Sequence, residues 1–125
     1  MYEGDTLGKV LTRFIERNDK LTHAKLSKMT GISEGSLSGY IYDVHRPKME
    51  HLIAICIALR LSYAESSYLL YLNNNILNPR YRETSIYIGY LMTCMFMKNI
   101  TVMTCNEMLM KQKIRPLTKL RRMYK

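Results

Sequence analysis

Hydroxyl, imidazole and cationic side chains cluster where short amphipathic segments begin in the first half of the chain. Thr22 and His23 open one such segment, and Ser36 lies in the first turn of the next. The polar loop that follows supplies three basic residues, His45, Arg46 and Lys48. Hydroxyl groups, basic side chains and the free N–H groups of helix N-termini are the groups that bind phosphate. The spacing therefore predicts contacts with the phosphates of a polyanion.

Catalytic chemistry has little support in the sequence. There is no phosphate-binding glycine loop and no HExxH or GxSxG motif, and ten acidic residues are too sparse for a paired-carboxylate site. Cys56, Cys94 and Cys105 have no CxxC spacing and no metal-ligand pattern with a histidine, so we expect buried, reduced thiols. We therefore predict a non-enzyme with no catalytic residue, no metal and no cofactor.

Charge points to the class of partner. The 125 residues carry a formal net charge of +9 and are 47% hydrophobic. Eight bases and a single acid, Glu107, lie in residues 84–125. A protein of this charge favours nucleic acid over an anionic membrane surface. The longest nearly apolar stretch, residues 86–97, is too short to span a bilayer and predicts a core helix. We expect a cytoplasmic protein without a membrane partner.

Apolar residues at helical spacing predict an all-α fold. A first helix is predicted over residues 7–18. Thr22 and Ser33 are the expected N-caps of the second and third helices, and Gly31 supplies the left-handed residue between them. The buried stripe of the third helix is predicted to contain Leu37, Tyr40 and Ile41.

Two further helices complete the first half. A fourth is predicted over residues 49–60, and Ser62 with Glu65 forms a capping box for a fifth that ends near residues 73–75. His51 and Glu50 are interpreted as a surface pair. The predicted core face of the fourth helix consists of Met49, Leu52, Ile55, Cys56 and Leu59.

The second segment begins after Pro79, the best candidate boundary. A sixth helix is predicted over residues 80–98, and Thr104 with Glu107 is expected to cap a short seventh helix. Regular structure should stop at Pro116, leaving a basic tail. We divide the chain just before the break at Pro79 into two units, residues 1–76 and residues 77–125.

One motif runs through the first unit without a gap. The pattern LTxxxLAxxxGVSxxTISxxExGxxxPxxxxLxxIAxALxVS is matched by Leu21-Thr22, Leu26, Gly31-Ile32-Ser33, Leu37-Ser38, Pro47, Leu52, Ile55, Ala58-Leu59 and Leu61-Ser62. These residues resemble the XRE-type, or phage-repressor-like, helix-turn-helix family over about residues 7–72. The resemblance implies a five-helix repressor-like domain, here with a C-terminal two-helix extension.

The resemblance also implies site residues. In this family the third helix enters the major groove of DNA, and the positions that resemble base-facing ones are Glu34, Gly35, Ser38 and Gly39. Arg, Gln and Asn, the usual bidentate base readers, are missing there. The implied phosphate contacts are Thr22, His23, Ser36, Tyr42, His45, Arg46 and Lys48. Tyr42 either stacks on a sugar or packs on the fourth helix, and we favour packing. His23 is equally consistent with a merely exposed side chain.

Two features of the sequence keep alternatives open. The family usually has Glu and then Gly near Ile41 and Asp43, so local caps and ion pairs must differ in this chain. The tail bases are interpreted either as an auxiliary DNA arm or as solvated surface. They are Lys111, Lys113, Arg115, Lys119, Arg121, Arg122 and Lys125.

Two functions remain under consideration. The first is a regulator of bacterial or mobile-element type that binds double-stranded DNA, specifically or semi-specifically, as a homodimer. Ten methionines, seven of them in the second segment, suggest either adaptable core filling or a dimer surface on helices five to seven. The alternative is an antitoxin-like or adaptor module that keeps the fold and binds a protein partner, because Glu34 and two glycines weaken the third helix as a base reader.

Overall fold

Seven helices and no strand make up the part of the chain that the structure describes, residues 3–119 of a computed structural model. The helices are α1 Leu7–Glu16, α2 His23–Thr30, α3 Glu34–Ile41, α4 Met49–Ala58, α5 Tyr63–Leu72, α6 Arg82–Thr93 and α7 Val102–Lys111. The all-α prediction is confirmed. The division into units at residue 76 stays a prediction, because one hydrophobic cluster contains residues of all seven helices.

Hydroxyl side chains fix where the helices of the first half begin. Thr22 Oγ1 accepts from the backbone N–H of Lys25, and Ser33 Oγ accepts from that of Ser36, both at 3.1 Å. The Ser62 and Glu65 capping box is formed in both directions. These bonds satisfy N–H groups that have no partner within their own helix. The three predicted caps are confirmed.

Two boundaries in the second half differ from the prediction. The N-cap of α7 is Thr101, and Thr104 is the residue that reaches back to it, with its Oγ1 accepting from the Thr101 N–H at 2.9 Å. The expected pairing of Thr104 with Glu107 was wrong by one helical turn, because a hydroxyl can fill the role usually given to a carboxylate. Glu107 is exposed.

Helix α6 is also shorter than predicted, because a side chain from another segment binds the chain where α6 ends. The Arg60 guanidinium donates to three carbonyl oxygens, those of Cys94, Met97 and Lys98, at 2.7–3.0 Å. Carbonyl groups that would otherwise continue the helix are satisfied by this cation. The chain therefore turns after Thr93.

Helix α4 lies at the centre of the core. Every residue from Leu52 to Ile57 is buried, including Cys56. The predicted core face was therefore too narrow, since α6 and α7 cover the opposite side of α4. Cys56, Cys94 and Cys105 are free and buried, which confirms the expected buried thiols. Burial raises the pKa of Cys56 and of Cys105 to about 12.

The segment after α7, residues 113–119, has no regular structure but is not wholly solvated. We call it the strap. Ile114 and Leu117 are buried in the common hydrophobic cluster, and Thr118 is 4% exposed. Apolar side chains therefore anchor this part of the basic tail on the core, so solvated surface does not describe Ile114 and Leu117.

Candidate nucleic-acid interface

The turn between α2 and α3 is held by hydrogen bonds from its own residues. Gly31 has φ of +82°, and its N–H donates to the Ser27 carbonyl at 2.8 Å. Ser27 Oγ in turn donates to the Ile32 carbonyl at 2.5 Å, and Thr30 Oγ1 accepts from the Ile32 N–H. Ile32 itself is 2% exposed. With both backbone and side chain of the turn fixed, the angle between α2 and α3 is set.

The outer face of α3 is open. Ser33, Glu34 and Gly35 are exposed, and Ser36 and Ser38 are half-buried. A Cβ built on Gly35 would meet no atom within 4 Å. Leu37, on the opposite side, is 1% exposed. The helix is therefore anchored by its apolar side, while its N-cap and first turn are exposed to solvent on the outer face.

Gly39 does not share that open face. It is buried, and a Cβ built on it would lie 2.6 Å from Cδ2 of His45. The backbone N–H groups of Val44 and His45 also donate to the Gly39 carbonyl. The loop thus folds back over this part of α3. Because the His45 ring covers Gly39, we leave Gly39 out of the proposed base-facing set.

Asp43 fixes the loop that follows α3. Its φ of +58° is the left-handed conformation, at the place where the resemblance implies a glycine. Its carboxylate accepts from the Gly8 N–H at 2.9 Å and from the Thr6 hydroxyl at 2.7 Å. An anion at the N-terminus of α1 is favoured by the helix dipole. Asp43 therefore ties the loop to α1, a role that the sequence analysis did not assign.

The remaining loop side chains point outward. Tyr42 is 69% exposed, so the expectation that it packs on α4 was wrong. The packing partner of α4 is Tyr40, whose hydroxyl lies 2.8 Å from Nδ1 of His51. Arg46 and Lys48 are exposed, and within residues 3–119 Arg46 donates a long hydrogen bond of 3.4 Å to the Asn73 carbonyl. Both cations remain available to a ligand.

His51 lies behind the loop and is not the surface residue expected. Its side chain is half-buried against Tyr40. Burial lowers the pKa of His51, Lys48 lowers it further, and Glu50 acts in the opposite direction. A neutral imidazole can accept the Tyr40 hydroxyl proton in a hydrogen bond. The Tyr40–His51 contact thus connects α3 to α4 beneath the interface.

The N-terminus of α2 offers a second group of donors. Thr22 is exposed while it caps the helix, and His23 is half-buried. Lys25 and Lys28 are exposed on the same helix, although neither was among the predicted contacts. Their sequence signal is their position on the polar face of a helix whose apolar face holds Leu26.

The tail bases within the strap lie in two different places. Lys113 and Arg115 line a groove of about 580 Å³ together with Arg82 and the acids Glu50 and Glu83. Lys119 is exposed at the other end of the strap. Arg121, Arg122 and Lys125 lie outside the described residues.

Within residues 3–119, no helix is long and apolar enough to cross a membrane. The same part of the chain contains no group of three or more His, Cys, Asp or Glu side chains that could hold a metal ion.

Comparison with known families decides what kind of domain presents these groups. Residues 11–65 match the model of the Cro/C1-type HTH DNA-binding domain. The chain contains a Cro/C1-type helix-turn-helix domain. The match begins within α1 and ends in the first turn of α5, so this domain includes the fixed turn, the open face of α3 and the loop. The expected resemblance to the XRE-type family is confirmed. No curated protein and no solved structure shows significant similarity to the chain.

Proposed function

We propose that this protein binds double-stranded DNA through the outer face of α3 and acts as a transcriptional regulator of bacterial or mobile-element type. The observation that carries the proposal is that the outer face of the first turn of α3, with Glu34 and Gly35, is open to solvent while the turn at Gly31 fixes the helix from behind. A helix held in this way can enter the major groove without rearrangement of the domain. Its place within residues matched by a DNA-binding family supports the same use.

Phosphate contacts would come from both sides of α3. Thr22 and the N-terminus of α2 lie before it, and the exposed cations Arg46 and Lys48 lie after it. Helix N-termini favour anions through their free N–H groups and their dipole. His23, Ser36, Tyr42 and His45 complete the proposed phosphate-facing set. These contacts position the protein on the duplex and carry most of the salt dependence.

Base reading would be limited by the side chains on the open face. Ser38 offers one hydroxyl, Gly35 offers no side chain, and Glu34 can accept a hydrogen bond from a cytosine amine. None of these groups makes the bidentate contacts that discriminate strongly between bases. We therefore expect semi-specific binding, in which the affinity for random duplex is a large fraction of the whole.

A salt titration tests the proposal. Binding of a labelled random duplex is measured by fluorescence anisotropy for the wild type and for the double variant Arg46→Ala/Lys48→Ala. Each lost phosphate contact should reduce the slope of log Kobs against log salt by about 0.9, so the double variant should lose roughly 1–2 units of slope. The charge-matched control is Arg80→Ala/Lys98→Ala, at exposed positions outside the matched domain. If both double variants give the wild-type slope, Arg46 and Lys48 do not contact phosphate.

A protein-interaction module is the second candidate, and Glu34 favours it. This acid is exposed in the first turn of α3, where a phosphate would be repelled. An antitoxin-like or adaptor role with a protein partner would use the same open face. A true DNA binder should bind random duplex at micromolar protein and low salt. Absence of binding under those conditions would favour the adaptor function.

The homodimer stays a prediction. Apolar side chains are exposed around the end of α6, among them Met92, Met95 and Phe96, of which Phe96 is 79% exposed. Exposed Met and aromatic side chains are enriched at protein interfaces. A second copy of the chain is the partner we expect there, since repressor-like domains bind paired half-sites as dimers.

A further inference from the structure

A groove of about 580 Å³ is formed jointly by α4, the start of α6 and the strap. Met49 and Glu50 line it from α4, residues 81–84 from α6 and its N-cap, and residues 113–115 from the strap. Its lining in the described part of the chain includes no residue of α3. Pockets of about 300–1,000 Å³ hold small organic ligands, so the groove is large enough for one.

Two hydrogen bonds hold the walls of the groove in place. Arg82 donates to the Gln112 carbonyl at 3.1 Å, which ties the start of α6 to the end of α7. The buried side chain of Asn106 in α7 accepts from the Leu117 N–H at 2.8 Å, which ties the strap to the same helix. Both walls are attached to α7, so the groove is preformed, as small-molecule pockets usually are.

Tyr87 lines the groove with a hydroxyl that lacks a partner. The residue is 4% exposed, yet within residues 3–119 its hydroxyl makes no hydrogen bond. Buried tyrosine hydroxyls usually find a partner, as that of Tyr40 does with His51. Burial raises the pKa of Tyr87 to about 12, with the carboxylates of Glu50 and Glu83 adding to the effect, so the hydroxyl keeps its proton at neutral pH. The groove thus contains a buried donor that a bound acceptor would satisfy.

The N-terminus of α6 supplies further donors. Its N-cap is Tyr81, which makes no side-chain capping bond. The backbone N–H groups of residues 82–84 have no acceptor within residues 3–119, and these residues line the groove. Free N–H groups at a helix N-terminus favour a carboxylate or another oxyanion. The Tyr87 hydroxyl and this helix end therefore favour the same kind of group.

Charged side chains of both signs line the groove without pairing. In the described part of the chain, neither Lys113 nor Arg115 forms an ion pair, and we call these two residues the strap cations. The same holds for Glu50 and Glu83, the groove acids. An anion alone would be repelled by the groove acids, and a cation alone by the strap cations. A ligand that carries both charges would meet a partner for each.

Apolar side chains lie open beside these charges. Ile76 is 87% exposed and Tyr81 is 64% exposed, and both line the groove. Pockets for small molecules combine such apolar surface with a few polar groups that fix the orientation of the ligand. An apolar or aromatic ligand body would cover these two side chains.

We propose that this groove binds a small zwitterion of the amino-acid type. Its carboxylate binds the N-terminus of α6 and the Tyr87 hydroxyl, and the strap cations offset its charge. Its ammonium group is attached to the carbon next to the carboxylate and pairs with the groove acids. The site is separate from the proposed DNA interface, so the proposal stands or fails independently of DNA binding through α3.

Phenylalanine is the probe, titrated into the isotope-labelled full chain at neutral pH and constant ionic strength. Amide chemical shifts locate the site and give the Kd. Phenylalanine should shift the amides of residues 81–84 and 113–115 with a Kd of roughly 1 mM or tighter, a modest efficiency for a ligand of its size. Absence of shifts in these residues at about 10 mM phenylalanine would overturn the proposal.

Two analogues of phenylalanine test whether both charges are needed. Hydrocinnamate keeps the ring and the carboxylate but lacks the ammonium group, and phenethylamine keeps the ring and the ammonium group but lacks the carboxylate. Each should bind at least about 10-fold more weakly than phenylalanine, because a hydrogen bond to a charged group is lost. Equal affinity for either analogue would refute the assignment of a zwitterion.

Substitutions of the charged side chains should separate the three ligands. Glu50→Gln/Glu83→Gln should weaken the binding of phenylalanine and phenethylamine but not that of hydrocinnamate. Lys113→Gln/Arg115→Gln should weaken the binding of the two carboxylates but not that of phenethylamine. Losses that do not divide by ligand charge in this way would contradict the proposed pairing.

Tyr87→Phe removes the hydroxyl and nothing else. Because this hydroxyl has no partner in the described part of the chain, the variant should melt no lower than the wild type, yet bind phenylalanine roughly 10-fold more weakly. The matched control is Tyr90→Phe, since Tyr90 is 9% exposed in the same helix and does not line the groove. Lys98→Gln and Glu107→Gln, at exposed positions outside the groove, are the charge controls. All three controls should keep the wild-type Kd. A wild-type Kd for Tyr87→Phe, or an equal loss in Tyr90→Phe, would exclude the Tyr87 hydroxyl from the site.

Discussion

Replacement of Gly8 by alanine should destabilise the protein, although the same change usually stabilises a helix. Gly8 lies in the first turn of α1, where it contacts the end of α3. A Cβ built on it would collide with the Ile41 carbonyl oxygen and would lie 2.6 Å from Oδ2 of Asp43. The Ile41 carbonyl belongs to the backbone and cannot rotate away, so α1 and α3 would have to separate. The Asp43 bond to the Gly8 N–H would then lengthen.

The expected size of the effect follows from two opposed terms. Alanine is favoured over glycine in a helix by up to about 1 kcal/mol. Overpacking of a tight contact costs about 1–3 kcal/mol, and the weakened bond to Asp43 adds about 1 kcal/mol. The net loss in free energy of unfolding should therefore be about 1–3 kcal/mol. For a chain of this length that corresponds to a decrease in Tm of roughly 4–12 °C.

Urea unfolding followed by far-ultraviolet circular dichroism measures this loss. The matched control is Gly89→Ala in α6, because a Cβ built on Gly89 would meet no atom within 4 Å. That variant should gain about 0.5–1 kcal/mol from helix propensity alone. If Gly8→Ala is as stable as the wild type or more stable, α1 and α3 do not approach each other as closely at Gly8 as the structure shows.

Two predictions concern titratable groups. Because burial raises the pKa of Cys56 and of Cys105 to about 12 and also raises that of Cys94, the thiols should not react with Ellman's reagent at neutral pH until the protein unfolds. Rapid modification of the folded protein would contradict their burial. Because the pKa of His51 is lowered in the folded protein, the imidazole binds a proton more readily in the unfolded chain. The free energy of unfolding is therefore unaffected by this group above about pH 6.5 and decreases as the pH falls below that value. His51→Gln should remove this part of the pH dependence of the urea midpoint, and an unchanged dependence would exclude His51 as its source.

Local signals predicted the first half of the fold well. Thr22, Ser33 and Ser62 are hydroxyl residues directly before apolar periodic segments, and each one caps a helix as expected. Gly31 adopts the left-handed conformation that its position required. A cap depends on residues only three positions apart, so its physics is contained in the local sequence.

The candidate site was harder to predict because its shape depends on contacts between distant segments. Gly39 occupies a position that the resemblance marks as base-facing, but the His45 ring from the following loop covers it. Asp43 has no distinguishing local pattern, and its role appears only when α1 comes within hydrogen-bond distance. Spacing along one helix identifies a face, but it does not show what another segment places on that face.

Helix α4 explains why the extension and the helix-turn-helix domain share one core. Its predicted core face was the stripe that a repressor-like domain buries, yet Ile53, Ala54 and Ile57 on its other sides are also buried. A helix that is apolar on all sides must be covered on all sides. The packing of α6 and α7 provides that cover, and α7 also contacts α2. Because α7 packs on both α2 and α4, we expect a substitution that loosens α7 to weaken the packing of the helix-turn-helix domain as well.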